Sequence, residues 1–201
     1  MELLDPASPQ AARDLLARAG AEQELGAVAE DREIIALLEQ MLEGFQSHEI
    51  CRDLSRAKQA FRELDFAMSL GPAVLGGQID LIYQDGAGEW HIVDYKSDRI
   101  GAAGPAGHVK RYELQMLLYA AAAGRHFGQA PARASLYFLR PAAAEPIELS
   151  PAALAEAEDR AAALAGQLVA ARRSRQFGRR DDKACEACPY GALCGTAKDL
   201  A

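Results

Sequence analysis

The sequence predicts an α/β fold in which helices flank a short run of strands. Mainly apolar segments of strand length lie between about residues 61 and 96, separated by turn residues at Gly71-Pro72 and Asp85-Gly86. On both sides of this region apolar residues recur every three or four positions, as on one face of a helix. We therefore expect a helix, three strands, a helix and a strand, in that order.

The elements can be placed in turn. Ser8 and Pro9 fit the cap and first position of a helix that ends near Gly20. Further helices are expected at about 31 to 45 and 48 to 60, before strands at about 61 to 69, 74 to 84 and 90 to 96. The Gly- and Ala-rich segment 97 to 107 predicts a mobile loop. A helix at about 108 to 124, a strand at 133 to 140 and a helix from Ser150-Pro151 to about Arg173 complete the chain.

Composition limits the classes of protein that need be considered. The chain has 201 residues, enough for one sizeable core, and 50% of them are hydrophobic, which excludes a disordered chain. Net charge is 22 − 29 = −7, so a polyanionic partner would need a local basic patch or bound metal ions. No uninterrupted apolar run is long enough to cross a membrane, so no membrane-spanning segment is expected.

Charged residues interrupt two of the predicted strands. Asp80 follows Gly-Gln-Ile in the second strand, and Asp94 and Lys96 end the third. Charges are rarely buried unless they are paired or bound to a metal. Two carboxylates and a lysine at the edge of a hairpin suit metal-dependent phosphodiester hydrolysis, in which the carboxylates hold a divalent ion. The alternative is that Asp80 caps a bulge, while Asp94 and Lys96 form an exposed ion pair on one strand face.

The helix that follows carries polar residues on one face. Tyr112, Gln115 and Tyr119 are spaced i, i+3 and i+7, so they share that face. A buried glutamine needs a hydrogen-bond partner, and this helix could direct its amide and the Tyr119 hydroxyl to the carboxylates or to DNA. An amphipathic helix that tolerates one glutamine is the simpler interpretation.

The order G-x-I-D, I-V-D-Y-K and Y-x-x-Q-x-x-x-Y resembles the RecB-type nucleases of the PD-(D/E)XK superfamily. These include nuclease domains of bacterial helicase-nucleases and some CRISPR-associated exonucleases. The resemblance implies a restriction-endonuclease-like αβββαβ core and a site that binds Mg²⁺ or Mn²⁺. It implies that Asp80, Asp94 and the Tyr95 backbone carbonyl are metal ligands, that Lys96 is the catalytic lysine, and that Gln115 and Tyr119 are accessory site residues. Glu63 could reach the metal as well, or pair with an arginine.

Cysteines near the C-terminus suggest a second site. Cys185, Cys188 and Cys194 read C-x2-C-x5-C, and Cys51 lies far upstream. Four thiolates suit an iron-sulfur cluster or zinc. The family has members in which one upstream and three C-terminal cysteines hold a [4Fe-4S] cluster, although Cys51 could instead be a buried free thiol.

Five arginines precede those cysteines. They could bind DNA phosphates, or they could offset the dipole at a helix end. The five are Arg172, Arg173, Arg175, Arg179 and Arg180.

These observations predict a helical segment at 1–60, a nuclease core at 61–149 and a helix with a cysteine-rich segment at 150–201. The expected function is that of a cytoplasmic DNA exonuclease in repair or recombination, with a helicase subunit or domain as its expected partner. The alternative is a non-catalytic DNA-binding or assembly module. It is favoured by the net charge and by the histidines: His48 lacks the family's usual upstream context, and His91 is expected to be exposed.

Overall fold

The structure is a computed structural model that describes Arg18 and residues 32–101 and 104–176. Its helices are α1 (Arg32–Ser47), α2 (Glu49–Ser55), α3 (Val109–Phe127) and α4 (Pro151–Ser174), with a 3₁₀ turn at Pro105–His108. Its strands are β1 (Gln59–Leu70), β2 (Ala73–Gln84), β3 (Trp90–Lys96), β4 (Arg133–Phe138) and β5 (Ala143–Ile147). The helix predicted at residues 8 to 20 lies outside the described ranges, apart from Arg18.

The five strands form one sheet whose spatial order, β1-β2-β3-β4-β5, is also their order in the chain. Neighbouring strands are antiparallel except β3 and β4, which are parallel because α3 carries the chain back across the sheet between them. This arrangement places the C-terminal end of β3 next to the first turns of α3.

Helices cover both faces of the sheet. On one face α3 and α4 pack on a core that includes Ile82, Ile92 and Met116. On the other, α2 packs on a smaller cluster that includes Leu81 and Tyr137. Alternate residues of β2 and β3 therefore enter opposite layers, which is why these strands contain so few polar residues.

The αβββαβ order predicted from the sequence is confirmed, with two corrections. The helix expected at 48 to 60 ends at Ser55, because Gln59 already pairs with Gln84 in the β1–β2 ladder. The strand expected at 133 to 140 ends at Phe138, and a fifth strand that was not expected, Ala143–Ile147, pairs beside it. That strand contains Pro146, which removes a backbone donor and so favours an edge position.

The predicted start of the last helix is also confirmed. Ser150 caps α4 by accepting a hydrogen bond from the Ala153 amide at 3.1 Å, and Pro151 occupies the first helical position. Within the described ranges, no helix combines the length and apolar character needed to cross a membrane.

Candidate active site

The site lies where β2 separates from β3. Pairing between these strands ends at Leu81 and Val93. Beyond it, the Asp80 carboxylate (Oδ2) accepts a hydrogen bond from the Tyr95 backbone amide at 2.8 Å, in place of the missing strand partner. The N–H and C=O of one residue point to the same side of an antiparallel strand. The Tyr95 carbonyl therefore faces the same gap as Asp80.

The β1–β2 ladder is irregular at this level. Ile79 and Ile82 both pack in the layer under α3 although they are three residues apart, so the alternation of β2 is broken between them. Opposite Asp80, Glu63 interrupts the pairing and has a φ of 52°. A non-glycine residue in this left-handed region marks a position that its surroundings hold in place. The sequence-based alternative that Asp80 marks a ladder irregularity thus describes a real feature of the strand.

Asp94 is the most enclosed charged group of the site. It is 1% exposed, and its Oδ2 contacts the Lys96 ammonium but makes no directed hydrogen bond within the described ranges. Gln115 Nε2 lies 3.5 Å from its Oδ1. Burial raises the pKa of the Asp94 carboxyl, and the Lys96 ammonium opposes that rise. The alternative of an exposed ion pair is therefore wrong.

Lys96 has neighbours on three sides. Besides Asp94, its ammonium lies 3.4 Å from the Gln115 side-chain oxygen and 4.2 Å from the centre of the Tyr112 ring. The Lys96 side chain is 13% exposed, so the charge is held largely out of water. Such a position strengthens its effect on any developing negative charge nearby.

The face predicted for α3 is the one that reaches the carboxylates. The Gln115 amide donates to the Tyr119 hydroxyl at 2.8 Å, and the Tyr119 ring meets Phe66 edge-on at 5.6 Å. Phe66 in turn lies over Gly77, where an added Cβ would come within 2.7 Å of the phenyl ring. A continuous row of contacts therefore connects the β1–β2 ladder to Gln115.

The structure brings Asp80, Asp94, Lys96, Gln115 and Tyr119 to one end of β3. Glu63 is exposed opposite Asp80 in the β1–β2 ladder, and the carboxylates of Glu63, Asp80 and Asp94 do not all lie within 4.8 Å of one another. A metal-binding role for Glu63 stays a prediction. No ion pair to an arginine is found for Glu63 among the described side chains either.

Two further residues at the site were not given a role from the sequence. The Tyr112 hydroxyl donates to Asp98 at 2.8 Å, and the ring of Tyr112 covers Lys96. Tyr112 shares the helix face of Gln115, and that spacing was the available signal. Asp98 follows β3, and its position in the sequence gave no such signal.

The other end of the β2–β3 hairpin holds a different cluster. Ligand atoms of Asp85, Glu89 and His91 lie within 4.8 Å of one another. Both oxygens of Asp85 are engaged, one by the amides of Ala87 and Glu89 and the other by His91 Nε2 at 2.9 Å. The hydrogen bonds of the turn thus explain why these three side chains lie close together. His91 is buried and stacked on Tyr83, so the expectation that it is exposed was wrong.

The Asp85 turn leads to a prediction about acid stability. The Glu89 amide and His91 lower the pKa of Asp85 from 3.8 to about 2. The stability that ionised Asp85 contributes is therefore complete above about pH 4 and is lost as the pH falls through about 2. Asp85→Ala should lower the melting temperature by a few degrees at neutral pH, and the difference from wild type should shrink below pH 4.

Thermal unfolding followed by circular dichroism between neutral and acid pH measures this difference. Asp159→Ala, on the exposed side of α4, is the control. A deficit in Asp85→Ala that stays constant down to pH 2 would contradict the assigned hydrogen bonds.

Two other residues considered in the sequence, His48 and Cys51, lie on the face of the sheet that α2 covers. His48 caps α2, where its Nδ1 accepts from the Ile50 amide, and its ring packs edge-on against Tyr137. It is therefore not the upstream site histidine. Cys51 lies half-buried on α2, and burial raises the pKa of its thiol. Cys185, Cys188 and Cys194 lie outside the described ranges.

Three of the five arginines, Arg172, Arg173 and Arg175, lie at the C-terminal end of α4. Ala161 and Ala162 are its last residues in a hydrophobic cluster. Arg172 follows ten residues after Ala162, about 15 Å further along the helix axis. Arg172, Arg173 and Arg175 are exposed there, and Arg179 and Arg180 lie outside the described ranges.

Comparison with known proteins places this geometry in a family. A sequence profile of the PD-(D/E)XK nuclease superfamily matches residues 2–195. The chain belongs to this superfamily. The resemblance seen in its motifs is thereby confirmed at the level of the superfamily, and so is the restriction-endonuclease-like fold. No curated protein matches the chain in sequence.

One solved structure supports the same fold. A candidate exonuclease from Eubacterium rectale is 12% identical, with a TM-score of 0.55 over 89% of this chain and 70% of that one. The protein SSO0001 is 17% identical, with a TM-score of 0.45 over 89% of this chain and 79% of that one. At such identities the first likeness concerns the fold alone.

Proposed function

We propose that this PD-(D/E)XK chain is a metal-dependent DNA nuclease of the RecB type, acting as an exonuclease. The observation that carries the proposal is the contact of buried Asp94 with Lys96 and Gln115, beside Asp80, at the open end of β3. A buried carboxylate next to a lysine is costly to maintain, so its retention at this position favours a chemical role.

The acidic groups suit a hard divalent cation such as Mg²⁺ or Mn²⁺. Asp94 Oδ2 is a buried acceptor without a directed hydrogen bond in the described part of the chain. The Tyr95 amide engages only one oxygen of Asp80, and the Tyr95 carbonyl faces the same gap. All of these are the oxygen ligands that such cations prefer. A cation at this position would supply Lewis acidity and activate water.

The remaining residues have distinct tasks in this proposal. Lys96 presents a positive charge beside Asp94, where it can orient the attacking water and stabilise the charge that develops on the phosphate. Gln115 holds Lys96 through its side-chain oxygen, while its amide group donates to Tyr119. Tyr119 and Gln115 would thereby place the DNA strand relative to the carboxylates.

The direct test uses end-labelled linear single- and double-stranded DNA with Mg²⁺ or Mn²⁺, and the same reactions with a chelator. We expect metal-dependent shortening from the ends, and no cleavage of closed circular single-stranded DNA. Asp80→Asn, which removes a charge with little change of shape, should remove most of the activity. Cleavage that persists with the chelator, or in Asp80→Asn, would contradict the proposed site.

A non-catalytic DNA-binding or assembly module is the second candidate. It is favoured by the position of His48, which lies on the opposite face of the sheet from Asp94, and by the net charge of −7. In the same experiment this module would bind DNA in a gel-shift assay without shortening it under any metal condition.

The proposal extends to the cysteines and arginines outside this site. Cys185, Cys188 and Cys194, with Cys51, would bind a [4Fe-4S] cluster, or zinc as the alternative, and Arg172 and its neighbouring arginines would contact DNA phosphates. A helicase subunit or domain would be the partner, in cytoplasmic DNA repair or recombination. Metal analysis and the visible spectrum of anaerobically purified protein distinguish iron-sulfur from zinc.

A further inference from the structure

Tyr112 lies beside the site without a task in the proposed reaction. It is in the first turn of α3, three residues before Gln115. Its ring centre is 4.2 Å from the Lys96 ammonium, and its hydroxyl donates to Asp98 Oδ2 at 2.8 Å. The ring thus lies against Lys96 while its far end is tied to the segment that follows β3.

The position of this ring matters because lysine is flexible. Its four-carbon chain loses much rotational freedom when the ammonium is fixed, and one ion pair rarely suffices to fix it. An ammonium over an aromatic face is attracted by the ring quadrupole, more strongly where water is excluded. Lys96, with 13% of its side chain exposed, meets that condition.

The ring also differs from the other two neighbours of Lys96. Asp94 is the anion that pairs with the ammonium, and it is also a proposed cation ligand. When Asp94 binds a cation, its negative charge is shared and its hold on Lys96 weakens. The Tyr112 face attracts the ammonium without offering a competing carboxylate, and Gln115 Oε1 accepts from it at 3.4 Å.

We propose that Tyr112 is a positioning residue, whose ring face holds the Lys96 ammonium over the site while Asp98 fixes the orientation of the ring. The catalytic part of this inference rests on the nuclease function proposed above. Arg111 contributes little: it lies 3.8 Å from Asp98 and 5.5 Å from the ring centre, and its side chain is 71% exposed.

The contact can be tested without any cleavage assay. The chain has five lysines, so protein labelled with ¹³C at the lysine ε carbons should give five resolved methylene signals by NMR. The ring current of Tyr112 should shift the protons of one signal upfield, and Lys96→Arg should remove that signal. The shift should disappear in Tyr112→Leu, and it should diminish to a similar degree in Tyr112→Phe and Asp98→Ala, because each of these removes the hydrogen bond between Tyr112 and Asp98 but keeps the ring. The remaining lysines are internal references.

Cleavage kinetics then test the consequence. Tyr112→Leu should lower kcat about ten-fold with little change in KM, because Lys96 acts on the transition state. Tyr112→Phe retains the ring face and should stay within about three-fold of wild type. Rescue by phenylalanine separates positioning of Lys96 from a need for the hydroxyl. If Tyr112→Leu fails to fold, Tyr112→Met, which also lacks a ring, takes its place in the comparison with Tyr112→Phe.

The outcomes separate the two proposals. No upfield lysine signal in the wild type, or one that survives Tyr112→Leu, overturns the contact whatever the cleavage assay shows. Equal kcat in Tyr112→Leu and wild type overturns the positioning role. The shifted signal in a chain that never cleaves DNA supports the contact and overturns the nuclease function instead.

Discussion

Lys96→Met should lower the DNA cleavage rate about 10²- to 10³-fold, the usual effect of removing one group that stabilises transition-state charge. Methionine retains most of the volume of lysine but removes the ammonium that lies against Asp94 and Gln115. The rate is measured in single turnovers with saturating Mg²⁺ and with protein in saturating excess over DNA, so that a change in DNA affinity does not contribute.

Lys58→Met is the matched control, because Lys58 is exposed at the other end of the β2–β3 hairpin and pairs through its backbone amide with Gln84. Its cleavage rate should equal that of wild type. Lys96→Met leaves buried Asp94 without the ammonium that pairs with it. The melting temperature of the variant is therefore measured in parallel. A folded Lys96→Met chain that cleaves at the wild-type rate would remove Lys96 from the mechanism.

Gly77→Ala should destabilise the protein by about 1–3 kcal/mol, as expected for overpacking, and should also lower cleavage. The added Cβ would lie 2.7 Å from the Phe66 ring, so that ring must move. Phe66 packs edge-on against Tyr119, which accepts the hydrogen bond of the Gln115 amide. A shift of Phe66 therefore reaches Gln115 through two contacts.

The neighbouring glycine provides the control. At Gly76 the nearest atom to an added Cβ is the Phe66 carbonyl oxygen at 3.8 Å, an ordinary contact. Gly76→Ala should therefore be tolerated, and the smaller entropy of its unfolded chain could offset any cost. Chemical denaturation and cleavage assays on the two variants measure the difference. Equal stability and equal activity in both would contradict the contact row from Gly77 to Gln115.

The sequence sufficed for the order of the elements from α1 to β4, because apolar segments bounded by turn residues specify β2 and β3, and a three- and four-residue period specifies α3. It also identified which polar residues meet, since Gln115 and Tyr119 share a helix face and Asp94 and Lys96 share a strand face. Such inferences need only the periods of regular structure.

Other features depend on contacts that no local pattern reveals. The burial of His91 follows from the Asp85 turn and from stacking on Tyr83. The Glu63 backbone conformation and the departure of β2 from β3 at Asp80 depend on how three strands fit together. Regular alternation predicts neither, because both are breaks in it.

The agreement between strand order and chain order has a consequence for how this protein acquires its site. The five predicted catalytic residues all fall between Asp80 and Tyr119, within one hairpin and the helix that follows it. Bringing them together closes only short loops, so little chain entropy opposes their assembly. The proposed chemistry is thus encoded in a contiguous stretch of sequence, which the outer strands and α4 enclose.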